Sequence, residues 1–289
     1  MPSRVAITGG TGLLGRYVVA ELQEQGVETV VLTREGRRGS VPNAVATSYE
    51  VDSLASSLGD LGIDAVVHLA ASRSSERSVG AHISSLTSAQ NLFEAATAVG
   101  VRDIAYASTI GVYDRAGSLP WSESAAIAPA LTYGVMKHAV ELLVPQYPRL
   151  QVRSLRLGHL YGANEHNDYM INRFMRRAAA GQDIEVNTAA SARRDFVYAK
   201  DAARGVVQSL STQAAEGVYN IGSGTPRSSL EMAEAIIEGF GSSSRIVKTS
   251  DPRALVPASS MDIAKAQREL GYRPTSAVVA FGEIHREVS

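Results

Sequence analysis

Short apolar runs alternate with longer segments of helical periodicity over the first half of the chain. The apolar runs cover residues 4–8, 29–33, 65–71, 103–108 and 152–157. Residues 13–25, 84–99 and 132–143 instead repeat apolar side chains every three or four positions, as in Leu14, Val18 and Leu22. Strands that alternate with helices predict βαβ units and a parallel sheet buried on both faces. Because such crossovers are right-handed, the predicted fold class is a doubly wound α/β sheet.

The alternation is less regular in the second half of the chain. Shorter helices and strands of mixed order are predicted over residues 170–180, 218–221, 228–239, 246–248 and 262–270. We therefore expect a first domain over residues 1–160 and a smaller mixed α/β region over residues 161–289. No Pro/Gly-rich linker separates the two, so some later elements are expected to return to the first domain.

Composition excludes several classes of function. The 289 residues are 45% hydrophobic and 20% charged, as in a soluble globular protein. The net charge of −1 argues against nucleic-acid binding and against a polybasic membrane contact. The absence of cysteine excludes disulfides, thiolate metal sites and cysteine nucleophiles. No apolar run is long enough to span a bilayer and no signal-peptide pattern is evident, so we expect a cytoplasmic protein.

The first apolar run leads into the sequence TGGTGLLG at residues 8–15. Three of its glycines have the spacing G-x-x-G-x-x-G, between a predicted strand and a predicted helix. Glycine permits positive φ and lets backbone N–H groups approach a pyrophosphate, and the helix contributes its positive N-terminal end. The motif predicts a dinucleotide-binding turn. The predicted cofactor contacts in this turn are Gly9, Thr11, Gly12, Leu13, Leu14 and Gly15.

The second apolar run ends in Thr33 and Arg34, where a NAD site usually places an acidic residue for the ribose hydroxyls. A guanidinium is suited to a 2′-phosphate, and Arg37 and Arg38 follow in the same segment. We therefore predict NADP(H) as the favoured cofactor and NAD(H) as the alternative. Asp52 is a candidate contact for the adenine amino group, and the alternative role for it is the N-cap of a helix over residues 53–58.

The stretch YGVMK places Tyr133 and Lys137 four residues apart, on one face of a predicted helix. A neighbouring ammonium favours the phenolate form of a tyrosine and so makes it a better acid–base group near neutral pH. Thr109 follows Ser108 at the carboxyl end of a predicted strand, the edge where doubly wound sheets bind ligands. Thr109, Tyr133 and Lys137 are the predicted catalytic residues, with Thr109 donating a hydrogen bond to a substrate oxygen.

These motifs resemble those of the extended short-chain dehydrogenase/reductases, often called NAD-dependent epimerase/dehydratases. The resemblance continues through HLAA (68–71), YASTIGVYD (106–114), LRLGHLYG (155–162), RRDFVYAKDAARG (193–205) and YNIGSG (219–224). It implies a Rossmann domain that binds NAD(P) over residues 1–160 and a mainly substrate-binding region over 161–289. It also implies cofactor contacts at Ala70 and Ser108, and a homodimer formed through a helix pair.

In nucleotide-sugar members of that family an arginine equivalent to Arg194 holds a substrate phosphate. A second phosphate-binding arginine corresponds more loosely to Arg253, and Ser72 is a further candidate substrate contact. Sugar-nucleotide members commonly have Asn where this chain has His159, which can still donate a hydrogen bond to a phosphate. No spacing typical of metal ligands is present, so no metal site is predicted.

The leading prediction is an NADPH-dependent reductase acting on a keto group of a nucleotide-activated sugar. Dehydratases of the family carry Asp-Glu where this chain has Ile110 and Gly111, which argues against 4,6-dehydration. Three alternatives stay open. They are a nucleotide-sugar epimerase with tightly held NAD, a reductase of a non-nucleotide ketone, and a cofactor-binding sensor without catalysis.

Overall fold

The computed structural model describes residues 1–34, 44–72, 78–114, 117–165, 167–189, 191–211, 214–251 and 256–288. Its strands are β1 (Arg4–Thr8), β2 (Glu28–Thr33), β3 (Ala44–Ala46), β4 (Ala65–His68), β5 (Asp103–Thr109), β6 (Gln151–Leu157), β7 (His159–Tyr161), β8 (Ile184–Asn187), β9 (Phe196–Tyr198), β10 (Gly217–Ile221) and β11 (Ile246–Thr249). Its α-helices are α1 (Leu13–Glu24), α2 (Val51–Asp60), α3 (Ile83–Val99), α4 (Thr132–Leu143), α5 (Met170–Ala179), α6 (Ala199–Ser209), α7 (Ser229–Phe240), α8 (Ala264–Glu269) and α9 (Ala277–Val288).

A seven-stranded parallel sheet forms the centre of the molecule, in the order β10-β6-β5-β4-β1-β2-β3. The chain leaves β1 towards one edge of the sheet and returns to build β4 on its other side. The doubly wound Rossmann fold expected from the sequence is therefore confirmed. Strand β10 belongs to this sheet although it lies late in the chain.

Both faces of the sheet are covered by helices, which explains why β1 and β4 are apolar on both faces. Val5 and Ile7 of β1 pack in the cluster that includes Val18 of α1 and residues of α6. Ala6, between them, belongs to the opposite cluster with residues of α2 and α3, among them Leu92. Alternate side chains of one strand thus enter two separate cores.

The smaller region has a core of its own, in which α5, α7 and α9 pack around β8. Its two short sheets pair β8 with β11 and β7 with β9 in parallel. The described helices include none with the length and apolarity that a bilayer crossing requires.

Several predicted boundaries differ from the observed ones. The run at residues 65–71 is a strand only as far as His68, because the next residues turn towards the β1 loop, where Ala70 N donates to Thr8 Oγ1 at 3.2 Å. The alternative role of Asp52 as an N-cap is wrong, since Glu50 is the N-cap of α2 and Asp52 lies in its first turn. Strands of three or four residues, such as β3 and β7, are too short to produce a periodic signal.

A buried carboxylate attaches the C-terminal segment to the Rossmann domain. Asp201, in the first turn of α6, accepts hydrogen bonds from Thr275 N and Thr275 Oγ1, each at 2.7 Å. Arg204, one turn later, donates to the same carboxylate at 2.9 Å. Asp201 is 1% exposed, so these donors replace the water that it loses on folding.

Replacing Asp201 with alanine is expected to lower the free energy of unfolding by about 2 kcal/mol, because the Thr275 amide and hydroxyl lose their acceptor. Urea denaturation at neutral pH measures the change. The matched control is Asp168→Ala, whose carboxylate is 75% exposed in its ion pair with Arg176 and should cost less than about 1 kcal/mol. Equal losses in the two variants would contradict this account.

Candidate active site

The carboxyl ends of β1 and β4 form a crevice at the point where the strand order reverses. Gly9 has a φ of +72° there, and a Cβ on it would lie 2.8 Å from the amide nitrogen of Ala70. The loops after the two strands therefore approach each other as closely as their backbones permit. Ligands of doubly wound sheets bind in such a crevice.

The glycine turn between β1 and α1 leaves no space for side chains. A Cβ on Gly15 would lie 2.5 Å from the Cα of Gly10, which brings the start of α1 onto the preceding loop. Gly12 is the N-cap of α1 and has no side chain to cap its first amides. Those amides lack helical acceptors, so the turn fits the pyrophosphate of a dinucleotide.

The end of β2 carries the residues predicted for the adenosine half of a cofactor. Arg34 is exposed there, and Asp52 is exposed in the first turn of α2. Arg34 lies near the partly buried Tyr49, where burial raises the pKa of the phenol to about 12 and the guanidinium charge acts in the opposite direction. The sequence analysis did not identify Tyr49. Arg37 and Arg38 lie outside the described residues.

Helix α4 brings Tyr133 and Lys137 to the same end of the sheet. Lys137 is 5% exposed, and its Nζ donates to the carbonyl of Ala107 on β5 at 2.5 Å. The Nζ lies 5.8 Å from the ring centre of Tyr133 and 4.8 Å from that of Tyr106. Burial lowers the pKa of Lys137 to about 7. The ammonium therefore loses its proton far more readily than a lysine in water does.

Tyr133 and Lys137 line one narrow cavity together with Ala70, Ser72 and His82. The predicted cofactor contact Ala70 and the predicted substrate contact Ser72 thus meet the tyrosine and lysine of α4. His82, which the sequence analysis missed, is 1% exposed, and its ring centre lies 6.0 Å from that of Tyr133.

Thr109 is the last residue of β5, two positions beyond the carbonyl that Lys137 binds. It is half-buried, and its Oγ1 accepts a hydrogen bond from Gly111 N at 3.1 Å. That contact caps the 3-10 turn formed by Ile110–Val112. Because this bond uses the hydroxyl oxygen as an acceptor, the hydroxyl proton is still available for a substrate oxygen.

The sequence analysis also missed a buried ion pair beneath these residues. Glu141, one turn beyond Lys137 on α4, pairs with Arg156 of β6 at 2.7 Å, and both side chains are 5% exposed. Ser108 Oγ donates to Glu141 Oε1 at 2.6 Å. The hydroxyl of Ser108, a predicted cofactor contact, is therefore directed at Glu141, and Ser108 itself lies near the carboxyl end of β5.

Arg156 extends this network to β10, the edge strand next to β6. Its Nη1 lies 2.7 Å from the hydroxyl oxygen of Tyr113, and that hydroxyl donates to Asn220 Oδ1 of β10 at 2.9 Å. Burial opposes the charge of Glu141, but the hydrogen bonds and charge of Arg156 hold its pKa below the ordinary value. One sequence signal could have identified Glu141. It lies four residues after Lys137, which places both side chains on one helical face.

A second, larger cavity of about 460 Å³ lies in the smaller region. It is lined by residues of α5, β8 and the segment that enters β9, including Phe174, Asn187, Arg194 and Phe196. The charge of Asp114, which follows the 3-10 turn after β5, acts on Arg194. Arg194 also contacts His159, two residues beyond Leu157, which pairs with Thr109 in the sheet, so the cavity adjoins that end of the sheet. Arg253 lies outside the described residues.

Arg194 and His159, both predicted to bind substrate, contact each other. The guanidinium Nη2 lies 2.9 Å from Nε2 of the His159 ring, and Ser259 Oγ lies 3.2 Å from the same nitrogen. Burial and the charge of Arg194 lower the pKa of His159 to about 3. The imidazole is accordingly neutral at physiological pH.

Comparison with known proteins gives matches along most of the chain. The sequence model of the NAD dependent epimerase/dehydratase family matches residues 5–222. UDP-N-acetylglucosamine 4-epimerase from Bacillus cereus superposes with a TM-score of 0.89 at 37% identity, covering 98% of this chain and 96% of that one.

Two curated relatives extend the comparison. A dTDP-glucose 4,6-dehydratase from Actinoplanes sp. is 28% identical over 94% of this chain and 92% of its own length. A dTDP-4-dehydro-6-deoxyglucose reductase from Escherichia coli is 24% identical over 94% of this chain and 91% of its own length. The chain is thus similar, end to end, to proteins with three different reaction names.

Replacing Glu141 with leucine is expected to lower the free energy of unfolding by about 3 kcal/mol, because Arg156 keeps a buried charge without its carboxylate. The double variant E141L/R156M should lose less than the single variant, and urea denaturation of both checks this. Glu185→Leu is the matched control, since that carboxylate is 61% exposed in its ion pair with Arg177 and should cost less than about 1 kcal/mol.

The difference in free energy of unfolding between the wild type and E141L should depend on pH. A lowered native pKa means that the ionised Glu141 stabilises the fold above the unfolded pKa of about 4.3. This contribution is lost as the pH falls through the native pKa. The difference between the wild type and E141L should therefore be complete at pH 7 and shrink below about pH 4. A difference that grew on acidification would refute the assignment of the ion pair.

Proposed function

The chain belongs to the NAD dependent epimerase/dehydratase family, and on that premise we propose that it catalyses NAD(P)-dependent hydride transfer at a secondary alcohol carbon of a nucleotide sugar. The observation that carries the proposal is the position of Tyr133 and Lys137. Both line one cavity with Ala70, which lies beside the glycine turn at the reversal of the strand order.

The glycine turn and Ala70 would hold the cofactor pyrophosphate and nicotinamide half, and Arg34 and Asp52 the adenosine half. When bound, NAD(P) exchanges a hydride with the sugar carbon. Tyr133 removes the proton of the reacting hydroxyl and returns it to the oxygen of the ketone. The ammonium of Lys137 favours the phenolate of Tyr133. Thr109 donates a hydrogen bond to the same substrate oxygen.

The cavity around Arg194 supports a nucleotide sugar as the substrate. Its volume of about 460 Å³ is within the range of small-molecule sites. A half-buried guanidinium suits the diphosphate of such a substrate because it can form two parallel hydrogen bonds. The names of the relatives refer to UDP- and dTDP-sugars. Binding energy from the diphosphate would position the sugar carbon for reaction.

We propose 4-epimerisation of a UDP-sugar as the overall reaction. The Bacillus cereus protein with 37% identity is named for that activity. Dehydration is disfavoured by this chain's own residues, because Ile110 is 3% exposed in an apolar cluster and Gly111 has no side chain. Neither residue can supply the acid or base that removes water from a sugar.

A second candidate function is the NADPH-dependent reduction of a keto sugar nucleotide. The observation that favours it is Arg34, which is exposed directly after β2 where an acidic residue would bind the NAD ribose. In that reaction Tyr133 gives up one proton in each turnover and must regain it from solvent.

We also expect a homodimer formed through α3 and α4. Ile83 on α3, and Val135 and Leu142 on α4, are exposed apolar side chains. Exposed apolar residues on two neighbouring helices support such an interface.

The test is product analysis with UDP-N-acetylglucosamine and the purified protein. The 4-epimer should form without added NADPH. Tyr133→Phe should lower kcat by about 10²- to 10⁴-fold while preserving the stabilisation by NAD and UDP in thermal-shift titrations. Tyr147→Phe is the matched control with full activity, because Tyr147 precedes β6 at the opposite edge of the sheet.

Other outcomes identify the other functions. NADPH oxidation with a 4-keto sugar nucleotide, and no epimer, would establish the reductase. If a cofactor stabilises the protein but neither UDP nor dTDP does, the substrate is a non-nucleotide ketone. Cofactor binding without turnover of any carbonyl substrate would indicate a sensor.

The choice of cofactor is tested at Arg34. Arg34→Asp should weaken NADPH relative to NADH by about 10-fold or more, because the 2′-phosphate loses a charged hydrogen bond. Calorimetric titration of both cofactors measures the ratio. Arg16→Gln is the control for the loss of one positive charge. It should leave the ratio unchanged, because the Arg16 side chain donates to Ala163 O. An unchanged ratio in Arg34→Asp would remove the basis of the NADPH assignment.

A further inference from the structure

We propose that His159 is a positioning residue, which holds the Arg194 guanidinium in place for the substrate diphosphate and does not itself bind the phosphate. This inference rests on the proposed function, in which Arg194 is the diphosphate anchor. It changes the role expected from the sequence, where His159 was a candidate donor to the phosphate.

The hydrogen bonds around His159 assign its protonation state. Arg194 Nη2 lies 2.9 Å from Nε2 and 3.1 Å from Nδ1 of the imidazole, and Ser259 Oγ lies 3.2 Å from Nε2. A guanidinium keeps its protons in proteins and can only donate. The imidazole can accept from Arg194 only through a ring nitrogen that carries no proton, and a doubly protonated ring has none, so these contacts require the neutral ring.

The cavity separates the two residues. Arg194 and Phe196 are among the side chains that line it, whereas His159 is not. The Phe196 ring centre lies 5.6 Å from the guanidinium carbon of Arg194 and 5.8 Å from the His159 ring centre. Arg194 is thus in contact with one ring that lines the cavity, Phe196, and with one that does not, the imidazole of His159.

The charges near the ring also favour a neutral His159. The His159 ring faces the Arg194 cation, which lies in the segment before β9, and the neutral hydroxyl of Ser259. The carboxylate of Asp195, in that same segment, is engaged by Ser223 N at 2.6 Å and Met261 N at 3.2 Å. The negative charge of Asp114 raises the pKa of Arg194, against the larger effect of burial. A proton added to His159 would therefore meet a neighbouring cation.

A neutral partner leaves the charge of Arg194 available to a ligand. Two other arginines that line the cavity face carboxylates, since Arg173 lies 3.8 Å from Asp168 and Arg177 lies 3.5 Å from Glu185. An imidazole fixes the direction of the Arg194 guanidinium without neutralising it. The diphosphate then meets a guanidinium whose orientation is already set, which reduces the entropy that binding costs.

The experiment measures UDP affinity by calorimetry, and kcat and KM for UDP-N-acetylglucosamine, in the full-length protein. Arg194→Gln should weaken UDP by about 10- to 100-fold, the range for a charged hydrogen bond. His159→Phe keeps a ring but removes the acceptor, and should raise KM by about 5- to 10-fold with kcat within about twofold. His159→Asn should recover most of the affinity, because its amide can accept from Arg194 and donate to Ser259.

The double variant H159F/R194Q distinguishes positioning from direct binding. If His159 acts only through Arg194, adding H159F to R194Q should cause no further loss of UDP affinity. A direct phosphate contact would instead give additive losses and overturn the inference. Arg176→Gln, on the same helix as Arg173 but outside the cavity lining, is the control with unchanged affinity. His159→Leu removes the same acceptor with a smaller side chain. The comparison of single and double variants can therefore be made with it if His159→Phe does not fold.

The pH dependence gives an independent readout. UDP-N-acetylglucosamine has no ionising phosphate near neutral pH, so KM should show no His159 titration between about pH 5.5 and 8. An imidazolium ligand would lose affinity tenfold per pH unit above its pKa. Failure of the wild type to bind UDP or the UDP-sugar would overturn the proposed function itself. Binding that depends on Arg194 with additive effects of His159 would overturn the positioning role alone.

Discussion

The buried ion pair between Glu141 and Arg156 fixes the geometry on which the candidate site depends. It joins α4, which carries Tyr133 and Lys137, to β6, and through Ser108 it reaches the end of β5 beside Thr109. A charged pair that has left water is stable only when its remaining hydrogen-bonding atoms are satisfied. Here Tyr113 and Asn220 complete the network, which connects one helix to three neighbouring strands.

Two buried or half-buried cations line the two cavities, and each donates a hydrogen bond to a neutral acceptor. Lys137 donates to a backbone carbonyl, and Arg194 donates to an imidazole. Burial lowers the pKa of both cations, because neither environment replaces the hydration that they lose. In the proposed function each site gains when an anionic group arrives, at Lys137 the phenolate of Tyr133 and at Arg194 a diphosphate. The same electrostatic arrangement would then serve acid–base chemistry at one end and substrate anchoring at the other.

Local sequence patterns predicted the central sheet well, because its strands are apolar on both faces and its glycine turn is constrained by close backbone contact. They could not show contacts between residues that are distant in sequence. Ser108 looked like a residue facing the crevice, but Glu141, 33 positions later, accepts its hydrogen bond. His159 is a candidate phosphate donor by sequence, and its contacts with Arg194 and Ser259 come from 35 and 100 positions away. Short strands such as β7 depend on pairing with β9 and have too few residues for a periodic pattern.

The sequence by itself determined the doubly wound fold, the dinucleotide turn and the identity of the Tyr133–Lys137 pair. Each of these follows from residue spacing within one strand, turn or helix, where steric rules act over a few positions. Only the tertiary structure decided the lowered pKa values of Lys137 and His159, the direction of the Ser108 hydroxyl and the cavity beside Arg194. Those properties arise from burial and from partners brought together across the sheet, and desolvation depends on what surrounds a group in space and not on its neighbours along the chain.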